Sequence, residues 1–159
     1  MSDLTHVDAS GAARMVDVTG KDVTARTAVA TGRVHTTAEV VALLASNGLK
    51  KGDALATARI AGIMGAKRTP DLVPLCHPIP ISGVTVEFAL GEDSVGITAT
   101  VRTSGQTGVE MEALTAVTVA GLTLHDMIKA VDPAAVLSEV RLERKEGGKT
   151  GVWTRPEGR

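Results

Sequence analysis

Alternation of apolar and polar positions is clearest in two neighbouring stretches. In VTVEFAL, Val84, Val86, Phe88 and Leu90 alternate with Thr85, Glu87 and Ala89; after a GEDS turn, Val95, Ile97, Ala99 and Val101 alternate with Gly96, Thr98 and Thr100. A period of two sends successive side chains to opposite faces, so the pair predicts two strands joined by a tight turn. A further strand is predicted over 137–144, where Val140 and Leu142 alternate with Glu139, Arg141 and Glu143. Residues 25–34, ARTAVATGRV, alternate poorly, but their Thr and Val content predicts a strand there too.

Helical spacing appears elsewhere. TTAEVVALLASNG predicts a helix with Thr36 or Thr37 as its N-cap, Glu39 near the third position and Asn47-Gly48 closing it. GDALATARIAGIMGAK predicts a second, capped by Asp53. Its small residues Ala54, Ala58, Gly62 and Ala66 recur every four positions, which lets another backbone approach closely. Pro70, Pro74, Pro78 and Pro80 then exclude long regular structure around LVPLCHPIP. A long helix is predicted from about residue 108 to 130. The order strand, helices, strand, strand, helix, strand is a βαββαβ pattern, an α+β ferredoxin-like antiparallel sheet with helices on one face. No linker or repeat divides the chain, so 1–159 reads as one domain, with 1–24 as an N-terminal arm or loop containing one short extended piece at RMVDV.

The long helix poses the main question. Between Leu114 and Leu124 it holds only Ala, Val, Leu, Thr and Gly, yet Glu110 and Glu112 stand at its start and Asp126 and Lys129 at its end. A helix apolar nearly all round is buried on more than one side, which predicts the sheet on one face and another subunit on the other. The helix dipole accounts for an acid in the first turn and a base in the last, but not for Asp126, an acid in the unfavourable last turn. Glu112 and Asp126 share a stripe but lie about 21 Å apart along the axis, so no single substrate atom touches both on one chain. Either they serve two ends of a large ligand or two chains build the site.

Composition narrows the classes. Apolar residues make up 43% of the 159 residues, with one Trp, one Phe and no Tyr, so the core is built from Val, Ala, Leu and Ile. Seventeen basic and eighteen acidic residues give a net charge of −1, and no global field points to nucleic acid or membrane. Cys76 is the only cysteine, the N-terminus lacks the pattern of a signal peptide, and no apolar run is long enough to span a bilayer. These features predict a cytoplasmic protein.

Three stretches could carry chemistry. His77 in LCHPIP sits in a stiff, proline-flanked turn, where it serves either a substrate or a backbone carbonyl; Cys76 beside it reads more simply as a small buried hydrophobe than as a nucleophile. A zinc site is not predicted, because one cysteine and four scattered histidines form no His-x-x-x-His or Cys-x-x-Cys pair. Lys50 and Lys51 stand at a helix N-terminus, where a lysine costs stability unless an anion neutralises it, whereas Lys67 and Arg68 close that helix and need only the dipole. Lys145 and Lys149 flank two glycines in RKEGGKTG, where backbone could approach a phosphate. Glu143 stands where a Walker A loop needs its first glycine, so that reading fails. Together these suggest acid–base work on a polyanionic small molecule.

LTHVDASGAARMVDV, KGDALATARIAGIMGAKRT, LVPLCHP, TGVEMEALTAVTVA and GGKTGVW resemble the MoaC family, the cyclic pyranopterin monophosphate synthases of molybdenum cofactor biosynthesis. The resemblance runs from about Leu4 to Pro156. It implies conversion of 3′,8-cyclo-7,8-dihydroguanosine 5′-triphosphate to cyclic pyranopterin monophosphate and pyrophosphate. It further implies a ferredoxin-like fold and a homo-hexamer, a trimer of dimers, with the site at a subunit interface. No resident cofactor is implied, although Mg²⁺ can accompany the triphosphate. By the resemblance Asp126, Lys51, Lys129 and His77 are catalytic; Leu75, Cys76, His77, Glu110, Met111 and Glu112 bind substrate; and Lys145 and Lys149 lie near the phosphates. Two other readings are open to the same residues: a metal-dependent phosphohydrolase ligated by His77, Glu110, Glu112 and Asp126, and a hexameric nucleotide- or pterin-binding module without turnover.

Overall fold

The computed structural model describes residues 4–159. Its elements run β1 (Thr24–His35), α1 (Ala38–Ser46), α2 (Ala54–Lys67), α3 (Thr69–Leu72), β2 (Ile81–Leu90), β3 (Ser94–Gly105), α4 (Glu110–Ile128), β4 (Val136–Glu146) and β5 (Trp153–Thr154). The sheet has the order β2-β3-β1-β4-β5, and every pairing is antiparallel. This is the α+β, ferredoxin-like arrangement that the sequence predicts. The pattern misses α3, which is a single turn among prolines, and β5, which is only two residues long. Residues 14–18 pair with no strand; the arm instead holds one isolated bridge, Val7 to Ala13.

Caps form where the side chains allow. Thr37 caps α1 by accepting from the Val40 N–H, which puts Glu39 second in the helix rather than third, and Asn47 ends it in the left-handed conformation with φ 53°. Asp53 caps α2 by accepting from the Ala56 N–H at 3.0 Å. The stripe of small residues on α2 meets α4: a Cβ on Gly62 would stand 2.9 Å from the Ala116 carbonyl oxygen. Thus α2 covers one flank of α4 and the sheet another, within a single chain. This corrects the expectation that a second subunit is needed to explain most of the burial. What remains open on α4 is the strip carrying Met111, Thr118 and Leu122, flanked on the same helix layer by exposed Ile60, Met64 and Leu72.

β1 lies second from neither edge but at the centre, and its inward side chains are small. Ala28, Ala30, Gly32 and Val34 face the helices, and a Cβ on Gly32 would reach within 2.6 Å of Val117. Continuing that parity brings Thr24 and Arg26 onto the helix face at the sheet end beyond the start of α4. Strand β4 breaks simple alternation twice. It shifts register against β1 between Val29 and Ala30 and between Thr31 and Arg33, with Glu139 at φ 56° in the second irregularity. Leu137, Val140 and Leu142 pack inward, and because Glu143 is the extra residue, Lys145 rather than Arg144 stands opposite inward-facing Ala28. A bulge therefore aims Lys145 toward α4.

Candidate functional site

The first turn of α4 opens onto a cavity of about 250 Å³ lined by Leu75, Cys76, His77, Glu110, Met111 and Glu112, together with residues of the N-terminal arm. The proline-rich turn brings 75–77 against the helix start. His77 Nε2 bonds the Val16 carbonyl. A carbonyl only accepts, so Nε2 carries the proton, and in the neutral ring Nδ1 is left as an acceptor. The carbonyl-binding reading of His77 is therefore realised, and it fastens the arm over the cavity.

Glu112 is 2% exposed, a carboxyl inside a mostly apolar wall. Burial pushes its pKa up from the ordinary range to about 7, and the neighbouring Glu110 charge adds to the rise. At neutral pH it is shared between acid and base forms, the condition for proton transfer in either direction. Burial likewise raises the Cys76 thiol, reinforced by Glu112, which makes a thiolate nucleophile unfavourable there.

A second cavity of about 510 Å³ adjoins the first and shares Lys21, Thr107, Gly108 and Glu110 with it. Its other lining residues include Thr24, Arg26, Lys145, Gly148 and Lys149. Lys145 Nζ lies 3.3 Å from Glu110 Oε1. Arg26 donates from Nε to the Gly105 carbonyl at 3.1 Å and from Nη2 to the Gln106 carbonyl at 3.3 Å. Gly147 and Gly148 have φ of 96° and 74°. Cβ atoms there would strike the Ala25 carbonyl and the Arg26 guanidinium, so the loop bearing Lys149 requires glycine to lie this close.

The remaining predicted residues gather at the other end of α4. Lys51 Nζ donates to the Asp126 carbonyl at 3.0 Å and to its Oδ2 at 3.1 Å, while Lys129 Nζ lies 2.9 Å from Oδ1. Lys51 thus places its charge at the C-terminus of α4, where it opposes the dipole, and Asp126 is the anion that its position ahead of α2 demanded. Bonds from Lys129 and Lys51 hold the Asp126 carboxyl below the usual range, so it is ionised at neutral pH. One chain does not unite the two groups: fourteen residues of α4 separate Glu112 from Asp126, about 21 Å. They also differ in environment, Glu112 being covered by the arm and the 75–77 turn while Asp126 is exposed. The four ligands that a phosphohydrolase metal would need are split in the same way. Among the described residues no group of three or more His, Cys, Asp or Glu side chains is close enough to hold a metal ion.

A MoaC family profile matches residues 15–148. The chain belongs to this family. Relatives similar to it include the cyclic pyranopterin monophosphate synthase of Streptomyces coelicolor, 68% identical over 96% of this chain and 89% of the relative. The synthase of the same name from Nocardioides sp. is 64% identical over 96% of each chain. Cyclic pyranopterin monophosphate synthase 2 of Mycobacterium tuberculosis is 61% identical over 96% of this chain and 92% of the relative. The matched residues thus include most of the lining of both cavities and the whole lysine–aspartate cluster, while Thr5, His6, Lys149 and Thr150 lie outside them. Sequence reading missed Lys21, Thr24 and Arg26. The inward parity of β1 could have found Arg26, a charge in line with Ala28, Ala30 and Val34; nothing in the pattern marks Lys21, which the arm delivers. No helix among the described residues is long and apolar enough to cross a membrane.

Proposed function

We propose that the protein is a cyclic pyranopterin monophosphate synthase acting in the cytoplasm as a single-domain subunit of a homo-hexamer, a trimer of dimers. It converts 3′,8-cyclo-7,8-dihydroguanosine 5′-triphosphate to cyclic pyranopterin monophosphate and pyrophosphate in molybdenum cofactor biosynthesis. Family membership and relatives at 61–68% identity support the reaction. The observation that carries it is the pair of adjoining cavities, one with a carboxyl poised near neutrality and one lined by lysines and an arginine. A ring system whose bonds are broken and remade needs protons given and taken at several atoms, and a triphosphate needs cations at its far end.

In this reading Glu112 and His77 exchange protons with the ring system, and Leu75, Cys76, Glu110 and Met111 shape its seat. Lys145 and Lys149 stabilise the departing pyrophosphate. Lys51, Asp126 and Lys129 reach the same substrate from a second chain. The exposed apolar strip of Met111, Leu122, Ile60 and Met64 supports such a neighbour, because a two-fold, antiparallel pairing of α4 over it would bring one helix end beside the other end of its partner.

Two measurements test the proposal. Pure protein incubated with the cyclic dihydro-GTP should release pyrophosphate and the cyclic pyranopterin product; unchanged substrate after long incubation would make it a binding module. Next, a chain carrying Lys51→Ala is mixed with one carrying Glu112→Gln after dissociation and reassembly. Mixed interfaces should then hold some intact sites and recover part of the activity. A dead mixture with demonstrated subunit exchange would refute the shared site.

A further inference from the structure

Lys21 is the one cation on the wall common to both cavities among the described residues. The other three residues of that wall are Thr107 and Gly108, which are neutral, and Glu110, which pairs with Lys145. The Lys21 backbone is fixed: its carbonyl accepts from Gln106 Nε2 at 3.1 Å, and its N–H donates to the Val18 carbonyl at 3.0 Å. Its ammonium, in contrast, meets no carboxylate of the described residues within ion-pair distance. Two further features mark the cavity as built for a ligand. Arg26 has its Nε and Nη2 donors committed to the Gly105 and Gln106 carbonyls, so it shapes the wall and holds the Gln106 loop that in turn holds Lys21. The Thr24 hydroxyl lines the same space, buried with no hydrogen-bond partner.

We propose that Lys21 binds the phosphate at the junction of the two cavities, the one retained in the cyclic product, while Lys145 and Lys149 hold the two phosphates that leave, with Gln106 as the positioning residue for Lys21. The assignment rests on the synthase reading above. In the closing step a hydroxyl oxygen of the sugar-derived part attacks the junction phosphorus and forms a new P–O bond. The P–O bond to the bridging oxygen breaks, its electron pair departs with pyrophosphate, and the hydroxyl proton passes to a base. Charge gathers on the equatorial oxygens of that phosphorus as the step proceeds, so a cation beside them acts more on the transition state than on the bound triphosphate.

The experiment compares wild type with Lys21→Ala, Lys149→Ala, Gln106→Ala and the Lys21→Ala/Gln106→Ala pair, measuring cyclic phosphate formation and calorimetric binding of inorganic pyrophosphate. Lys21 is exposed and its carbonyl tether survives substitution, so melting should be unchanged. Lys21→Ala should slow product formation by about 10²-fold, the scale of one lost transition-state donor, while pyrophosphate binding stays within about twofold. Lys149→Ala should instead weaken pyrophosphate by about tenfold, the scale of one cation lost from a desolvated anion contact. Gln106→Ala should fall between wild type and Lys21→Ala and add nothing to it in the pair, because both act through one ammonium. Turnover of Lys21→Ala within about threefold of wild type overturns the proposal, as does a loss of pyrophosphate binding equal to that of Lys149→Ala. A wild-type protein that makes no product sinks the synthase reading and this assignment together, whereas an active wild type with a normal Lys21→Ala sinks this assignment alone.

Discussion

Replacing Glu112 with Gln keeps the size and hydrogen-bonding shape of the side chain but removes its titration. In the native protein burial lifts this carboxyl from an ordinary 4.5 to about 7. A group whose folded pKa is raised contributes stability that is fully present below the unfolded value and lost as pH climbs to the folded one. Wild type should therefore weaken relative to Glu112→Gln between about pH 4.5 and pH 7 and then run parallel to it. At 1.36 kcal/mol per pH unit the accumulated difference is about 3 kcal/mol, undiscounted because the group is 2% exposed. Urea unfolding of both proteins at equal concentration across this range measures it, and subtracting one curve from the other removes whatever pH dependence the two proteins share. Above neutrality the Gln variant should be the more stable of the two and, lacking a proton to exchange, severely slowed in turnover. A stability difference that stays flat with pH would refute the argument, since the carboxyl would then titrate alike in both states.

Lys51→Ala and Lys129→Ala should each lower turnover by about 10²-fold or more with the fold intact, while Lys67→Ala, whose residue only closes α2, should leave it near wild type; product assays with melting curves check both. Asp126→Asn should abolish most activity with little change in melting temperature, because the carboxylate is exposed and surface ion pairs contribute little to stability; a melt lowered by many degrees would make Asp126 structural. Gly62→Ala should destabilise by about 1–3 kcal/mol despite the better helix propensity of alanine, because the added methyl meets the Ala116 carbonyl, a backbone atom that cannot rotate aside.

The fold was legible where burial is one-sided and periodic. β3 alternates cleanly because one face packs on helices and the other is open, and Asp53 and Thr37 announce their helices because the capping bond is local. The parts that resisted reading are long-range. β4 departs from period two because it follows a bulged register against β1, and no residue within 136–146 declares where its extra residues fall. The all-round apolarity of α4 pointed to a second subunit, yet α2 supplies much of that cover through a four-residue glycine and alanine spacing already visible in the sequence. The two signals had to be matched to each other.

The site shows the same division more sharply. Lys51 and Asp126 stand out because each sits at a helix end that disfavours its charge, and their pairing at 3.1 Å resolves both anomalies at once. Glu112 stands out for the opposite reason. Its first-turn position looks favourable by the dipole alone, and only the arm and the 75–77 turn folding over it convert a helpful surface acid into a buried one that titrates near neutrality. Lys145 needed the Glu143 bulge to reach the helix side, Arg26 needed the inward parity of β1, and Lys21 needed an arm fastened by His77 and Gln106. Chemistry that depends on a local electrostatic conflict is written in the sequence. Chemistry that depends on which loop closes over which carboxyl is set by tertiary contacts, and those same contacts determine where its pKa lies.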